Sequence, residues 1–475
     1  MNSGLALIPP AVIVAAALVV LLLEACFGKA IRDSLGYIGL GFLAACGFFC
    51  VRSWNKSYSY FGGRLDLNNL ALVLIGLLLL AAVMVILISF KYIETRSLPA
   101  AEFLALLLLA LAGAMIMVSS NSLLIIFLGL EILSVSSYAL AGLHFQDQKS
   151  AEAAAKYFLL GSLASALLVF GLALLYGAGR SLDIPAVAAA LHGASSLHLA
   201  AVAGLGLVVV AFGFKVALVP FHMWTPDVYE GAPTPATAFF SVVPKVAVFA
   251  VLIRILAALG GPGDRGGPFF WVLAALAVLT MLIGTLAALR QTNIKRLLAY
   301  SSIAHAGYIA VGLLAGDYAG VVFYLAVYLF MGLGAFAAVT ALSREDAEFL
   351  ELDDLAGLGF KYPWLGVSFS ALLLSMAGFP PLAGFLGKFY IFSAAVRQDL
   401  VPLAIIGVLT SFISVFFYLR VIVFMYMRAP SREVDILQEN PGLFLVLFIC
   451  LLGVLQLGLN PGNILALIRM AVIGL

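Results

Sequence analysis

The sequence predicts an all-α polytopic membrane protein with about fourteen transmembrane helices. Composition is the first reason. Of 475 residues, 64% are apolar and 10% are charged, against about 45–50% and about 25% in average soluble domains. A water-soluble fold of this size cannot hide so much apolar surface, so lipid must cover it. Run length is the second. A helix needs about 20 apolar residues to cross the hydrocarbon core, and Ala11–Leu23, Leu70–Phe90, Phe103–Val118, Leu123–Leu143, Phe158–Tyr176 and Phe269–Leu289 meet or approach that length. The third is the lack of the period-two alternation of barrel strands. No strands are evident, and a helix satisfies its own backbone groups in lipid.

In chain order the spans fall near 5–27, 34–52, 68–91, 100–118, 121–143, 151–177, 199–230, 235–260, 268–289, 294–316, 318–342, 363–396, 402–428 and 442–459. Met1–Pro10 carries no basic stretch, so the first segment is read as an uncleaved span rather than a signal peptide. The last dozen residues are expected to form a short amphipathic tail. Two spans are too long and are interrupted. The seventh contains Val219-Pro-Phe-His-Met-Trp-Thr-Pro226, and the twelfth contains Gly378-Phe-Pro-Pro-Leu-Ala-Gly384. Proline removes a backbone donor and clashes with the preceding turn, so both helices should break. Broken helices at membrane depth are tolerated only against protein or a wet cavity, and paired breaks often mark a transporter's working site. An offset of five spans between them makes the second half inverted relative to the first. The key lysine precedes its break in one half (Lys215) and follows it in the other (Lys388).

Lys and Arg in the short loops set orientation. Loops after odd-numbered spans hold about twelve, including Lys29, Arg32, Lys91, Arg290, Lys295, Arg296 and Arg432; the other side holds about seven, including Arg52, Arg64, Arg180 and Arg265. Odd loops are therefore expected in the cytoplasm and both termini outside.

The net charge of +2 gives no nucleic-acid footprint. Cys26, Cys46, Cys50 and Cys450 lie in apolar runs without zinc or iron–sulfur spacing, and Cys46 with Cys50 reads as packing. No Gly-rich nucleotide loop is seen, so no redox cofactor is expected in this chain.

Ionisable groups at the bilayer centre cost roughly 2.5–3.5 kcal/mol on insertion scales, yet several stand near the middle of their spans. Glu131 is about ten residues from either end of its helix, or about 15 Å, too far to snorkel, so it is expected to face the bundle interior. Lys215, Lys245 (after Pro244), His305 and Lys388 complete the set, four of the five lying in the spans around the breaks. Desolvation lowers a lysine's pKa and a nearby carboxylate raises it, so a Glu131–Lys215 pair whose hydration changes can load and release a proton. Histidine titrates near neutrality and suits a relay. The plainer alternatives are a structural staple for Glu131, Lys215, Lys245 and Lys388, and a hydrogen-bonded packing histidine for His305. For Lys156, nearer its helix start, snorkelling is the plainer alternative; Lys295 is read as snorkelling, and Glu24 and Arg254 as interfacial.

Two stretches are not generic. Val219-Pro-Phe-His-Met-Trp-Thr-Pro-Asp-Val-Tyr-Glu-Gly-Ala-Pro-Thr-Pro235 and Arg290-Gln-Thr-Asn-Ile-Lys-Arg-Leu-Leu-Ala-Tyr-Ser-Ser-Ile-Ala-His-Ala-Gly-Tyr308 resemble the antiporter-like proton-translocating subunits of respiratory complex I, the NADH–quinone oxidoreductase. The Pro-Asp-Val-Tyr-Glu-Gly-Ala-Pro-Thr-Pro form resembles the subunit N branch, as does a lysine rather than a glutamate at Lys388. The likeness runs from about Glu102 to Arg428. It implies a fourteen-helix fold with two inverted five-helix repeats, divided here as an N-terminal segment 1–100, repeats at 101–262 and 263–428, and a C-terminal helix and tail at 429–475. It implies that Glu131 tunes Lys215, that Lys156 is the sixth-helix lysine, that Lys245 and His305 form a connecting relay with His222 nearby, and that Lys388 is the exit lysine. It also implies a bacterial plasma-membrane complex. Its NAD, FMN, iron–sulfur clusters and quinone would belong to other subunits, and its partners would include subunit M and small membrane subunits. A subunit of a cation/proton antiporter or membrane-bound hydrogenase would use the same residues. A stand-alone solute transporter would instead need a pocket at the breaks, which Trp224 and His222 offer.

Overall fold

The computed structural model of the chain describes residues 3–192, 198–260, 268–344, 348–430, 436 and 440–473. Arg265, Arg432, the repeat boundary at 262–263 and the two chain ends lie outside the described residues. In chain order the helices are α1 (Ile8–Phe27), α2 (Arg32–Arg52), α3 (Asn69–Thr95), α4 (Ala100–Val118), α5 (Leu123–Ala141), α6 (Gln148–Gly179), α7 (Ile184–His192), α8 (His198–Lys215), α9 (Thr225–Gly231), α10 (Thr234–Ala258), α11 (Pro268–Ala288), α12 (Ile294–Leu314), α13 (Tyr318–Thr340), α14 (Leu358–Lys361), α15 (Pro363–Ala377), α16 (Ala383–Arg397), α17 (Val401–Met427), α18 (Pro441–Leu459) and α19 (Gly462–Val472). Among the described residues thirteen helices are long and apolar enough to cross a membrane. The remaining expected span, the twelfth in chain order, is α15 plus α16. Each half has 15 residues, about 22 Å at 1.5 Å per residue, short of the roughly 30 Å hydrocarbon core.

Local chemistry sets the boundaries. Asn68, Asp147, Asn293 and Asp317 cap α3, α6, α12 and α13, each accepting a first-turn backbone N–H, groups that otherwise have no partner. Gly378 ends α15 in the left-handed region, φ 94°, where glycine carries no Cβ penalty. The first break runs from Lys215 to Thr225, and its backbone is fastened sideways: Val219 N–H donates to Thr280 on α11 at 2.9 Å, and the Trp224 indole N–H donates to the Phe214 carbonyl at 2.9 Å. Val219–Pro220 and Pro380–Pro381 are cis.

Helices α10, α12 and α13 form the centre, each about 94% buried over its apolar window, while α1, α2, α6, α17 and α18 form the rim. The two halves open alike. A Cβ on Gly113 of α4 would lie 2.5 Å from the Gly129 carbonyl of α5, and one on Gly284 of α11 would lie 2.7 Å from the Ala304 nitrogen of α12. In both places two backbones meet with no room for a side chain.

Two features were not legible in advance. A short antiparallel hairpin, β1 (Tyr58–Tyr60) with β2 (Leu65–Leu67), joins α2 to α3; three-residue strands are too short to show a period. The extra helix α7, with nine residues Ile-Pro-Ala-Val-Ala-Ala-Ala-Leu-His, is too short to read as a span and lies in the connection between the sixth and seventh. The amphipathic tail is α19.

Candidate functional site

Four lysines are buried among the described residues, and three of them, Lys215, Lys245 and Lys388, each stand at a helix defect. Lys215 is the last residue of α8 and 3% exposed; Lys245 follows Pro244 inside α10 and is 2% exposed; Lys388 lies on α16, 5% exposed. Among the described residues none of the three forms a salt bridge. Neutral dipoles take the place of a counter-ion. The Lys215 ammonium donates to Ser134 Oγ at 2.9 Å and Tyr157 Oη at 3.1 Å, and stands 5.0 Å from the Tyr157 ring centre. Lys245 donates to Ser302 Oγ and stands 5.3 Å from the Tyr328 ring. Lys388 donates to Ser411 Oγ at 2.8 Å, to the carbonyls of Met376 at 2.7 Å and Ala377 at 3.2 Å, and stands 5.2 Å from the Tyr308 ring. Serine hydroxyl plus tyrosine face recurs at every lysine, and a cation over a ring is attracted by its quadrupole.

The breaks explain the positions. A helix end leaves carbonyls without intrahelical partners and carries about half a negative charge. Met376 and Ala377 are the last two residues of α15, so Lys388 reaches across the second break into those carbonyls. Lys215 occupies the last turn of α8 at the first break. The two lysines stand on opposite sides of their breaks in sequence, yet both are placed at the C-terminal end of the first half-helix.

His305 is 1% exposed. Its Nδ1 lies 2.7 Å from Tyr324 Oη and its Nε2 3.2 Å from Tyr418 Oη. Tyr418 also bonds Ser301, while the adjacent Ser302 accepts from Lys245 and, at 2.8 Å, from Tyr328 and lies 3.5 Å from Tyr229 Oη. The Ser301-Ser302 dipeptide therefore joins the Lys245 cluster to the His305 cluster. The stacked Tyr157 and Trp224 rings, 4.3 Å apart, with Tyr229 edge-on to Trp224, form an aromatic contact between the Lys215 and Ser302 clusters.

Glu131 departs from expectation. It is half-buried at the seam of α5 and α6 and accepts from Ser165 at 2.5 Å, rather than facing the interior or touching Lys215. It shares a face of α5 with Ser134, three residues on, which holds Lys215. Helix periodicity placed it deep but could not say which flank it faces. Lys156 does not simply snorkel: it pairs with Glu152 at 2.6 Å and Asp227 at 2.5 Å. His222 lies half-buried inside the first break, and its Nδ1 has no hydrogen-bond partner among the described residues. Arg254 is buried, not interfacial, donating to Asn121 and the Val118 carbonyl.

The two distinctive sequence stretches meet. Arg296 holds Asp227 at 2.7 Å and Glu230 at 3.0 Å, and Lys149 holds Glu230 at 2.8 Å. Lys295, read from sequence as snorkelling, is instead fully buried. It donates to the Ala232 carbonyl at 2.7 Å and pairs with Glu348 at 3.3 Å. Burial opposes ionisation of Glu348, but Lys295 and hydrogen bonds from Tyr92 and Thr234 outweigh it and hold this carboxyl below its ordinary value. Glu348 lies in a loop with no apolar periodicity, so nothing in the sequence flagged it. The serines and tyrosines around the lysines were missed because each reads as ordinary helix packing.

Among the described residues no group of three or more His, Cys, Asp or Glu side chains is placed to hold a metal ion. Residues 120–414 match the family model described as NADH:quinone oxidoreductase/Mrp antiporter, TM. The chain is 42% identical over 448 residues to NADH-quinone oxidoreductase subunit N of Trichlorobacter lovleyi, covering 93% of this chain and 91% of that protein. Its fold is similar to a chain of respiratory complex I from Thermus thermophilus, with a TM-score of 0.83 and 34% identity over 96% of this chain and 98% of that one. A chain of the Mrp complex from Dietzia shares the fold at 21% identity, TM-score 0.81, over 100% of this chain and 97% of that one. The chain belongs to the NADH:quinone oxidoreductase/Mrp antiporter family of membrane subunits.

Proposed function

We propose that the chain is a proton-translocating membrane subunit of an NADH–quinone oxidoreductase, and that protons cross it through Lys215, Lys245, His305 and Lys388. The observation that carries this reading is the row of three buried lysines held by hydroxyls, ring faces and open carbonyls instead of carboxylates. An ammonium so held is stabilised enough to exist and not so tightly that it cannot lose its proton. Ser301, Ser302 and the tyrosine hydroxyls can each donate and accept, which suits them to pass protons between the charged groups. Glu131 acts on Lys215 through its field along the shared face of α5. Lys156 reaches the α6–α9 contact through Asp227, and His222 stands beside the first break. Moving one proton against about 100 mV takes about 2.3 kcal/mol, within the reach of small rearrangements around a buried lysine. Electron transfer through NAD, FMN, iron–sulfur clusters and quinone belongs to the other subunits, with subunit M and small membrane subunits as neighbours. The chain sits in the bacterial plasma membrane with both termini outside.

A cation/proton antiporter subunit is supported by the 21% likeness only at the level of fold, whereas subunit N of NADH-quinone oxidoreductase is matched at 42%. The test is NADH-driven proton uptake in inverted membrane vesicles. Lys215→Ala and Glu131→Ala should each lower it while the complex still assembles; normal uptake in both variants overturns the proposal.

A further inference from the structure

Sharing no residue with the lysine clusters, α2, α3, α18 and the start of α4 line a cavity of about 660 Å³, within the range of about 300–1,000 Å³ typical of small-ligand sites. Its rim carries Arg32 and Asp33 from the start of α2 and Lys91 and Glu94 from the end of α3. Its depth is apolar, with Leu87 on α3 and Leu445 on α18 running toward the bilayer. Leu445 is 47% exposed, so the wall is open to lipid. The rim lies on the face that holds the odd loops. A charged mouth over an apolar, membrane-facing shaft is the shape of a site for an amphiphile.

Charge decides which amphiphile. Among the described residues the rim carries two cations and two carboxylates. Arg32 donates to the Leu98 carbonyl, which fixes its head at the mouth, and Lys91 pairs with Glu94 at 3.1 Å. Among the described residues Asp33 forms no salt bridge, and it is exposed. An anionic headgroup would satisfy the cations and be repelled by Asp33 and Glu94. A phosphate carrying its own ammonium satisfies both. Carboxylates accept hydrogen bonds, which a primary ammonium can donate and a quaternary one cannot.

We propose that this cavity binds one phosphatidylethanolamine, its phosphate toward Arg32 and Lys91, its ammonium toward Asp33 and Glu94, and its acyl chains along Leu87 and Leu445. Such a lipid joins the N-terminal helices to α18, two parts of the chain that are remote in sequence.

The test uses the assembled complex, purified in mild detergent and then supplied with vesicles of phosphatidylethanolamine, phosphatidylcholine or phosphatidylglycerol. Bound lipid is counted by native mass spectrometry and phosphorus analysis. Wild type should retain one phosphatidylethanolamine at least fivefold more strongly than either competitor. Asp33→Lys, at an exposed position, should reverse the preference in favour of phosphatidylglycerol. Ser97→Trp, which fills the mouth, should lose the bound lipid. Equal retention of all three lipids by wild type, unchanged selectivity in Asp33→Lys, or loss of quinone rather than phospholipid in Ser97→Trp would each overturn the proposal.

Discussion

Replacing Glu348 by glutamine isolates the most completely buried ion pair in the described structure. Lys295 has a fully buried side chain and Glu348 is 12% exposed, with 3.3 Å between charges. The second carboxylate oxygen accepts from Tyr92 at 2.7 Å, Thr234 at 2.8 Å and Ser343 at 3.3 Å. Removing one partner of a buried pair costs about 3–5 kcal/mol, because the other charge is left without compensation. Glutamine keeps the shape and its carbonyl still accepts from Tyr92 and Thr234, so the lower end applies, about 3 kcal/mol. At 1.4 kcal/mol per tenfold, that is roughly a hundredfold more frequent opening of the segment that Glu348 anchors. Its reporters are the amides of Ile294, which donates to the Leu350 carbonyl, and Leu352, which donates to the Thr292 carbonyl. Hydrogen exchange on the assembled complex reads them directly. The pH dependence has a definite sign. The folded carboxyl titrates below its unfolded value, so its contribution is full above about pH 4.3 and is lost as pH falls through the lower folded value. Protection should therefore be flat from neutrality down to about pH 5. Lys295→Met combined with Glu348→Gln should recover most of the protection. Exchange in Glu348→Gln within twofold of wild type, or a double variant as open as the single one, would refute the reasoning.

Other outcomes follow from the same geometry. Ser302→Ala leaves Lys245 and Tyr328 without their shared hydroxyl; losing a buried hydrogen-bond partner costs about 1–3 kcal/mol, and NADH-driven proton uptake should fall at least fivefold with assembly intact. Lys388→Arg keeps the charge, but guanidinium does not deprotonate in proteins, so proton uptake should fail while a purely structural role would tolerate the change. Gly113→Ala puts a Cβ 2.5 Å from a backbone carbonyl and should cost about 1–3 kcal/mol by overpacking, read as a lower melting temperature and a weakened α4–α5 contact in the purified complex.

The membrane fold was open to reading from sequence because its cause is distributed. Long apolar runs, Pro-Gly breaks and the spacing of those breaks are each local signals, and each corresponds to an element of the structure. The candidate site was legible only as far as depth. Lys215, Lys245, His305 and Lys388 stood out because charge is costly in lipid, and all four are buried. What surrounds them was not legible, since Ser134, Tyr157, Ser302 and Ser411 look the same whether they fill space or hold an ammonium. Glu131 shows the limit clearly. Its depth along the helix follows from counting residues, while the flank it faces depends on how α6 packs beside α5. Lys295 shows the converse: a helix-end lysine snorkels by default, unless a carboxylate from a distant loop closes over it.

The most puzzling asymmetry in the sequence is resolved by the breaks. Inverted units should place equivalent groups at equivalent positions, yet Lys215 precedes its break and Lys388 follows its own. Helix ends, rather than residue order, are the physical element that the two halves share. A half-helix that stops inside the membrane exposes carbonyls that lipid cannot satisfy, and a lysine supplies donors that lipid cannot neutralise. Each defect is costly alone, and at the second break they offset each other. In the second half the lysine reaches back to the carbonyls of Met376 and Ala377; in the first, Trp224 takes the Phe214 carbonyl and Lys215 turns to Ser134 and Tyr157 instead. The first lysine is thereby held by side chains and the second chiefly by backbone. Side-chain hydroxyls can rotate away and backbone carbonyls at a glycine-capped helix end cannot, so the first lysine is the more easily rearranged of the two. That difference supports the proposal that a neighbouring charge such as Glu131 acts at the Lys215 end.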